Sequence, residues 1–295
     1  MINLHDICYA RIGTRNLENA IQFARDIVGL ELVRQEGKSA YFRSDQVAIR
    51  GDGRDHTLVY TEGAPDDHAA GFDLLDPADF DKVGAELENN GFAVHLGTPD
   101  ECEQRRVKSF LAFKDPTGNR IEVVLRFMNT GRRYFPGRDA GITHFSHIGL
   151  CSTDPVRDGE FWTHLLNARV SDWIGAAPLL RINTVHHTLA LFPTDRTGIQ
   201  HINHQVEDID DIMRSWYFLK DKGVKILFGP GRHPTSGAVM LYFQGPDGMV
   251  FEYSTGVKHI LPEQEASYRP RQFPFAPEGF CMWGSKPDIA EFSND

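Results

Sequence analysis

Glu252 stands between Phe251 and Tyr253, in a run that otherwise reads as a core strand. A carboxylate there is costly unless a cation or a hydrogen-bond donor satisfies it. The stretch before it, FGPGRHPTSGAVMLYFQGPDGMVFE, carries His233 in a Gly/Pro-rich loop and Tyr242 on a strand pattern. Upstream, His147 and His201 also fall on strand patterns, HIGLCSTD and IQHINHQV. Two imidazoles and one carboxylate suit a divalent first-row metal. In a facial arrangement they leave coordination positions open, as in non-haem Fe(II) oxygenases. A structural zinc site would want four closed ligands, usually with Cys, and no fourth residue has a matching strand position. His186, His233 and Tyr242 could add an acid–base set near such an ion, which itself lowers the pKa of a bound hydroxyl.

The second ligand has a competitor. Alternation puts His201, Asn203 and Gln205 on one strand face and His204 on the other. Register against Asp210-Asp211 and the spacing to His186 favour His201, with His204 as the alternative. His186 opens the strand HHTLALF, in which His187 reads as a structural residue facing away.

The elements that must hold these side chains follow from periodicity. Strand patterns lie at 5–15, 38–43, 56–62, 70–75, 92–96, 108–114 and 120–127, with helices at Asn16–Gly29 and Asp79–Asn90. The order then returns: strands at 144–152, 168–174, 178–183, 187–192, 200–206, 224–228, 238–244 and 249–254. Asp154-Pro155 opens one helix of this half, and Asp208–Lys222 is the other. Residues 257–295 read as a tail that packs on the body.

The return is visible in letters. FKDPTGNRIE (113–122) matches FQGPDGMVFE (243–252), and DHTLVY (55–60) matches HHTLAL (186–191), an offset of roughly 130 residues. Each half contains the strand–helix–strands unit twice, so the fold class is α+β. The duplication acts as an internal control. Tyr9 stands where the later half has His147, Ala70 or Gly71 where it has His201, and Glu122 where it has Glu252. The scaffold does not need the histidines, which favours a metal role for them.

Length and composition bound the rest. A chain of 295 residues can hold two cores. A net charge of −10 argues against nucleic acid as a partner. There is no run of 18 apolar residues to span a membrane, and the N-terminus lacks a signal core, so a cytoplasmic protein is expected. Cys8, Cys102, Cys151 and Cys281 form no CxxC and read as reduced thiols.

Five features in this order carry a family resemblance. They are His147 with Cys151 and Asp154 behind it, His186-His187-Thr-Leu-Ala, His201 fifteen residues after His186, Gly-Pro-Gly-Arg-His233, and Tyr242-x3-Pro246-x-Gly248-x3-Glu252. Over nearly its whole length the chain resembles the type I extradiol ring-cleavage dioxygenases of the vicinal oxygen chelate superfamily. These are the catechol 2,3-dioxygenase and 2,3-dihydroxybiphenyl 1,2-dioxygenase group.

The resemblance implies two tandem domains, each of two βαβββ modules forming an open, barrel-like curved sheet. Residues 1–135 would lack a metal site, and 136–295 would form the catalytic domain with its tail. His147, His201 and Glu252 would hold Fe(II), less often Mn(II). The substrates would be a catechol and O2. His186 would sit beside the O2 position and shuttle a proton. Tyr242 would hydrogen-bond the catecholate, and His233 would contact the hydroxyl side. The ring would open next to the diol, giving a 2-hydroxymuconate-semialdehyde-type product in aromatic catabolism, with the enzyme a homo-oligomer. Two rival readings stand on the same scaffold. A glyoxalase I-like isomerase would want a fourth protein ligand and gives Tyr242 and His233 no role. A non-catalytic binding protein would not need His147 and His201 in one half only.

Overall fold

The computed structural model describes residues 1–45 and 53–292. Its strands are β1 (Leu4–Thr14), β2 (Glu31–Glu36), β3 (Ser39–Arg43), β4 (Leu58–Glu62), β5 (His68–Leu74), β6 (His95–Leu96), β7 (Val107–Lys114) and β8 (Arg120–Phe127) in the first half. The second half has β9 (Ile142–Ser152), β10 (Arg169–Ile174), β11 (Ala177–Arg181), β12 (Leu189–Pro193), β13 (Ile199–Val206), β14 (Ile226–Arg232), β15 (Val239–Gln244), β16 (Val250–Thr255) and β17 (Arg271–Phe273).

Two open sheets result, ordered β2-β3-β4-β1-β5-β8-β7-β6 and β14-β15-β16-β13-β9-β12-β11-β10-β17. In each, two βαβββ modules meet through their first strands. β1 runs antiparallel to β5, and β9 to β13, while each first strand lies parallel to the last strand of its own module. The fold is α+β, with tandem modules of the kind the resemblance implies. The tail adds β17 to the edge of the second sheet, parallel to β10.

Helices cover the sheets because their apolar stripes have nowhere else to go. The helix Ile209–Asp221 buries Ile212 and Leu219 and packs on β14, β15 and β16. Asp208 caps it through a box with Asp211, which satisfies backbone donors the first turn leaves free. Asp154 caps Pro155–His164, which packs on β10, β11 and β12. One apolar cluster runs through both halves, from Ile7 and Phe72 to Ile148 and Phe251. A second lies on the later sheet and includes Phe192, Phe228 and Tyr242, with Phe280 and Phe292 of the tail. Among the described residues no helix is long and apolar enough to cross a membrane, and all four cysteines are buried and outside any disulfide.

Some boundaries differ from the sequence reading. The helix expected at Asn16–Gly29 is an α-helix over Leu17–Gln22 followed by a π-helical turn over Phe23–Val28. The 92–96 strand shrinks to His95–Leu96. A short helix, Pro99–Arg105, follows a strand end where none was expected. The strand expected from 187 begins at Leu189, so His186 and His187 lie in the loop before it. Register also corrects the internal alignment. Ala69 pairs with Arg120 and Arg11 as His201 pairs with Val250 and Gly149, so Ala69, rather than Ala70 or Gly71, is the counterpart of His201.

Candidate metal centre

The three proposed ligands come from adjacent strands. Asn203 on β13 lies opposite His147 on β9 and Glu252 on β16, so these two flank it in one line across the sheet. His201 stands two residues earlier on β13, on the same face. One atom from each of His147, His201 and Glu252 lies within 4.8 Å of the others, and all three residues are buried. Nε2 of His147 is 3.1 Å from Glu252 Oε2, and Nε2 of His201 is 3.5 Å from it. These atoms are near one another yet not aligned as hydrogen bonds; all three are buried without a partner. Buried polar atoms without partners are rare in folded proteins. A cation at their common focus would satisfy all three, so the donor set fits a metal.

The surrounding residues prepare that arrangement. Gln200 Oε1 accepts from His201 Nδ1, which leaves Nε2 bare for a ligand bond. Gly149 lies opposite His201, and a Cβ there would stand 2.4 Å from His201 Nδ1, so only glycine leaves room for the ring. Asn203 and Gln205 both donate to Ser254 Oγ, at 2.7 and 2.6 Å, which locks β13 against β16. Burial pushes His201 down to about 3, so it is neutral at ordinary pH. Burial alone would raise Glu252, but the His147 and His233 imidazoles outweigh it and hold the carboxyl well below its usual range.

Tyr242 lies directly across from Glu252, because the Pro246–Gly248 turn folds β15 beside β16. His233 follows β14. Its Nδ1 donates to the Phe280 carbonyl at 2.8 Å, which turns Nε2 toward the Tyr242 hydroxyl at 3.2 Å and Glu252 Oε1 at 3.5 Å. Burial, then Glu252, pushes the Tyr242 phenol well above 10, so it stays a donor.

The His186-His187 pair is placed differently from its expected roles. Both ring nitrogens of His186 are engaged by other residues, Nε2 by Asp172 Oδ2 at 2.9 Å and Nδ1 by His187 Nδ1 at 3.1 Å. His187, expected to face away, packs on the His147 ring with centroids 4.1 Å apart. Alternation misled because neither residue is in a strand. His56, the counterpart of His187 in the repeat, packs likewise on Tyr9, with centroids 5.6 Å apart. His204 lies on the opposite face, between Phe145 and Phe251, and is not one of the three converging residues.

Aromatic side chains wall this face. Phe292 packs on Phe192 at 4.6 Å and Phe280 at 4.7 Å between centroids, and meets the rings of Tyr242 and His201 at 6.0 and 6.5 Å. The tail thus reaches the centre both through its rings and through the Phe280 carbonyl.

Comparisons with known proteins agree with this frame. A 1,2-dihydroxynaphthalene dioxygenase of Sphingobium xenophagum is 25% identical over 283 residues, covering 90% of this chain and 93% of its own. An iron-dependent extradiol dioxygenase of Rhodococcus jostii is 24% identical over 283 residues, covering 89% and 92%. The Mn(II)-bound glyoxalase of Novosphingobium aromaticivorans superposes with a TM-score of 0.84 at 24% identity, covering all of this chain and 95% of that one, a likeness of fold. The model of the Glyoxalase/Bleomycin resistance protein/Dioxygenase superfamily matches residues 6–123 and again 144–253, one match for each sheet. With both halves matched and the βαβββ modules duplicated, the chain belongs to that superfamily.

Proposed function

We propose that this protein is a metal-dependent extradiol dioxygenase, cleaving the ring of a catechol-type diol next to its hydroxyls and incorporating both atoms of O2. The product would be a 2-hydroxymuconate-semialdehyde-type compound. The observation that carries the reading is the convergence of three unpartnered ligand atoms, from His147, His201 and Glu252, with no fourth residue in the group among the described residues. Such a site keeps positions open for substrate.

Those three residues would hold Fe(II) or Mn(II). When bound, the ion supplies Lewis acidity toward the diol oxygens and the redox access to O2 that a closed-shell ring lacks. Tyr242, whose hydroxyl meets His233 Nε2 here, would turn its one hydrogen to a diol oxygen on the Glu252 side when substrate binds. His187, whose ring packs on His147, would accept and return a proton. His186, tied to Asp172, supports it from behind. Phe192, Phe228, Phe280 and Phe292 exclude water and favour a diol with an apolar substituent. The name of the S. xenophagum relative, which acts on a fused-ring diol, supports the same substrate class.

The test is anaerobic reconstitution with Fe(II), addition of a catechol, then air. Oxygen uptake equal to diol consumed, with a yellow product, is the expected result. Turnover of methylglyoxal with glutathione, or diol binding with no oxygen uptake, would overturn it.

A further inference from the structure

We infer that Asp172 and His186 act as positioning residues that fix the proton of neutral His187 on Nδ1, leaving its Nε2 bare on the ring that packs against His147. The inference rests on the proposed dioxygenase reading for its purpose, but not for its geometry.

The chain of bonds begins at Asp172 on β10, whose side chain is fully buried. Its Oδ1 accepts from the Arg271 backbone N–H at 2.8 Å and from Arg271 Nε at 3.2 Å. Its Oδ2 accepts from Arg271 Nη2 at 2.7 Å and faces His186 Nε2 at 2.9 Å. Burial would raise this carboxyl, but His186 and Arg271 outweigh it and hold it below its usual range. It is therefore ionised and can only accept.

The next assignments follow from donor and acceptor logic. His186 Nε2 must carry a hydrogen to meet a carboxylate. Burial lowers His186 despite Asp172, so the imidazole is neutral and its Nδ1 has a lone pair. That Nδ1 lies 3.1 Å from Nδ1 of His187. Two lone pairs at that distance would repel, so His187 Nδ1 carries the hydrogen and donates. In neutral His187 the other nitrogen is then bare.

The backbone enforces the juxtaposition. His186 N–H donates to the Lys258 carbonyl at 2.9 Å, and Val185 bridges His259, so the loop before β12 is pinned by the start of the tail. The two rings stand at 89° with centroids 5.3 Å apart, which turns one Nδ1 toward the other. A bare Nε2 can accept a proton from a diol hydroxyl, while an N–H there could only donate. The tail residue Arg271 and the strand residue Asp172 thus set which way the first proton moves.

The experiment reads the tautomer directly. Protein with 15N-labelled histidine is loaded with Zn(II), which is diamagnetic and supports no turnover, and long-range 1H–15N correlation reports which ring nitrogens carry hydrogen. His187 is assigned by the signals missing in His187→Gln. The expected pattern in the unmutated protein is Nδ1–H with a bare Nε2. In Asp172→Asn, the Arg271 backbone N–H and Nε hold the amide oxygen and Arg271 Nη2 keeps its bond to the Thr235 carbonyl, so the amide nitrogen donates to His186 Nε2 and both imidazoles flip. His187 then carries its hydrogen on Nε2. With Fe(II), that variant should bind metal normally while kcat for diol cleavage falls about 10–100-fold. A hydrogen on Nε2 in the unmutated protein would overturn the inference, and so would an unchanged pattern in Asp172→Asn. The unmutated spectrum decides alone if the variant does not fold. A correct tautomer without diol cleavage would sink the proposed function and leave the relay standing.

Discussion

The Tyr9 hydroxyl donates to Glu122 across 2.6 Å. The strand register puts these two residues where the second sheet has His147 and Glu252. Arg105 completes the first arrangement with two bonds of 2.7 Å to the Glu122 oxygens. The same buried carboxylate is therefore neutralised by a guanidinium in one half and faces unpartnered imidazole nitrogens in the other. The metal reading rests on that contrast, because it separates what the fold requires from what the second half adds.

The contrast predicts one metal ion per chain. His147→Ala, His201→Ala and Glu252→Gln should each lose most bound Fe(II), measured by elemental analysis after reconstitution. Tyr9→Phe should keep it. Near-full metal content in any of the three ligand variants would remove that residue from the site.

Glu122 makes a prediction about pH. Burial would raise its carboxyl, but Arg105 and Tyr9 outweigh it and hold it at about 2, below the ordinary 4.5. The folded state thus binds its proton less readily than the unfolded chain. Stability from this group is fully present above about pH 4.5 and is lost as pH falls toward 2. In Glu122→Gln, Arg105 is left buried and unpaired, which costs about 3–5 kcal/mol at neutral pH. Thermal midpoints of the two proteins should differ most at pH 6, and the gap should narrow as pH falls from about 4.5 toward 2. A constant gap across that range would contradict the shift.

Gly149 predicts a ligand effect from a residue that touches no metal. An added Cβ would stand 2.4 Å from His201 Nδ1 and 2.9 Å from Gln200 Oε1. Gly149→Ala should break the Gln200–His201 hydrogen bond, push the ring off its position and weaken metal binding about 10–100-fold, the scale for loss of a partner that orients a ligand. Titration of the apoprotein with Fe(II) measures it. Unchanged affinity would mean the ring has room to yield.

How far the sequence led can be traced residue by residue. The duplication, the α+β modules and the spacing of His147, His201 and Glu252 were legible, since strand alternation and repeated letters encode them directly. The cap Thr98-Pro99-Asp100-Glu101 is a signal of the same local kind: the Thr98 and Glu101 side chains form the box that starts Pro99–Arg105, the helix that delivers Arg105 to Glu122. The order of roles within His186-His187 was not legible. It depends on where β12 begins and on Asp172 and Arg271, which lie 14 and 85 residues away in sequence. No local pattern records such distant pairings.

The tail carries the last prediction. Glu291 pairs with Arg196, and Phe292 packs against Phe192 and Phe280 while meeting the rings of His201 and Tyr242. A side chain so placed forms a wall against any ring held at the metal. Phe292→Ala should leave metal content intact and raise KM for an aryl- or alkyl-substituted diol about 10-fold, since burying one apolar side chain contributes about 1.5–3 kcal/mol. Unsubstituted catechol, too small to reach the wall, should change less. The ratio of the two KM changes is the measurement that matters, because a general loosening of the tail would disturb His233 through the Phe280 carbonyl and raise both equally. A fall in KM for the larger diol would make Phe292 a plug that substrate must displace.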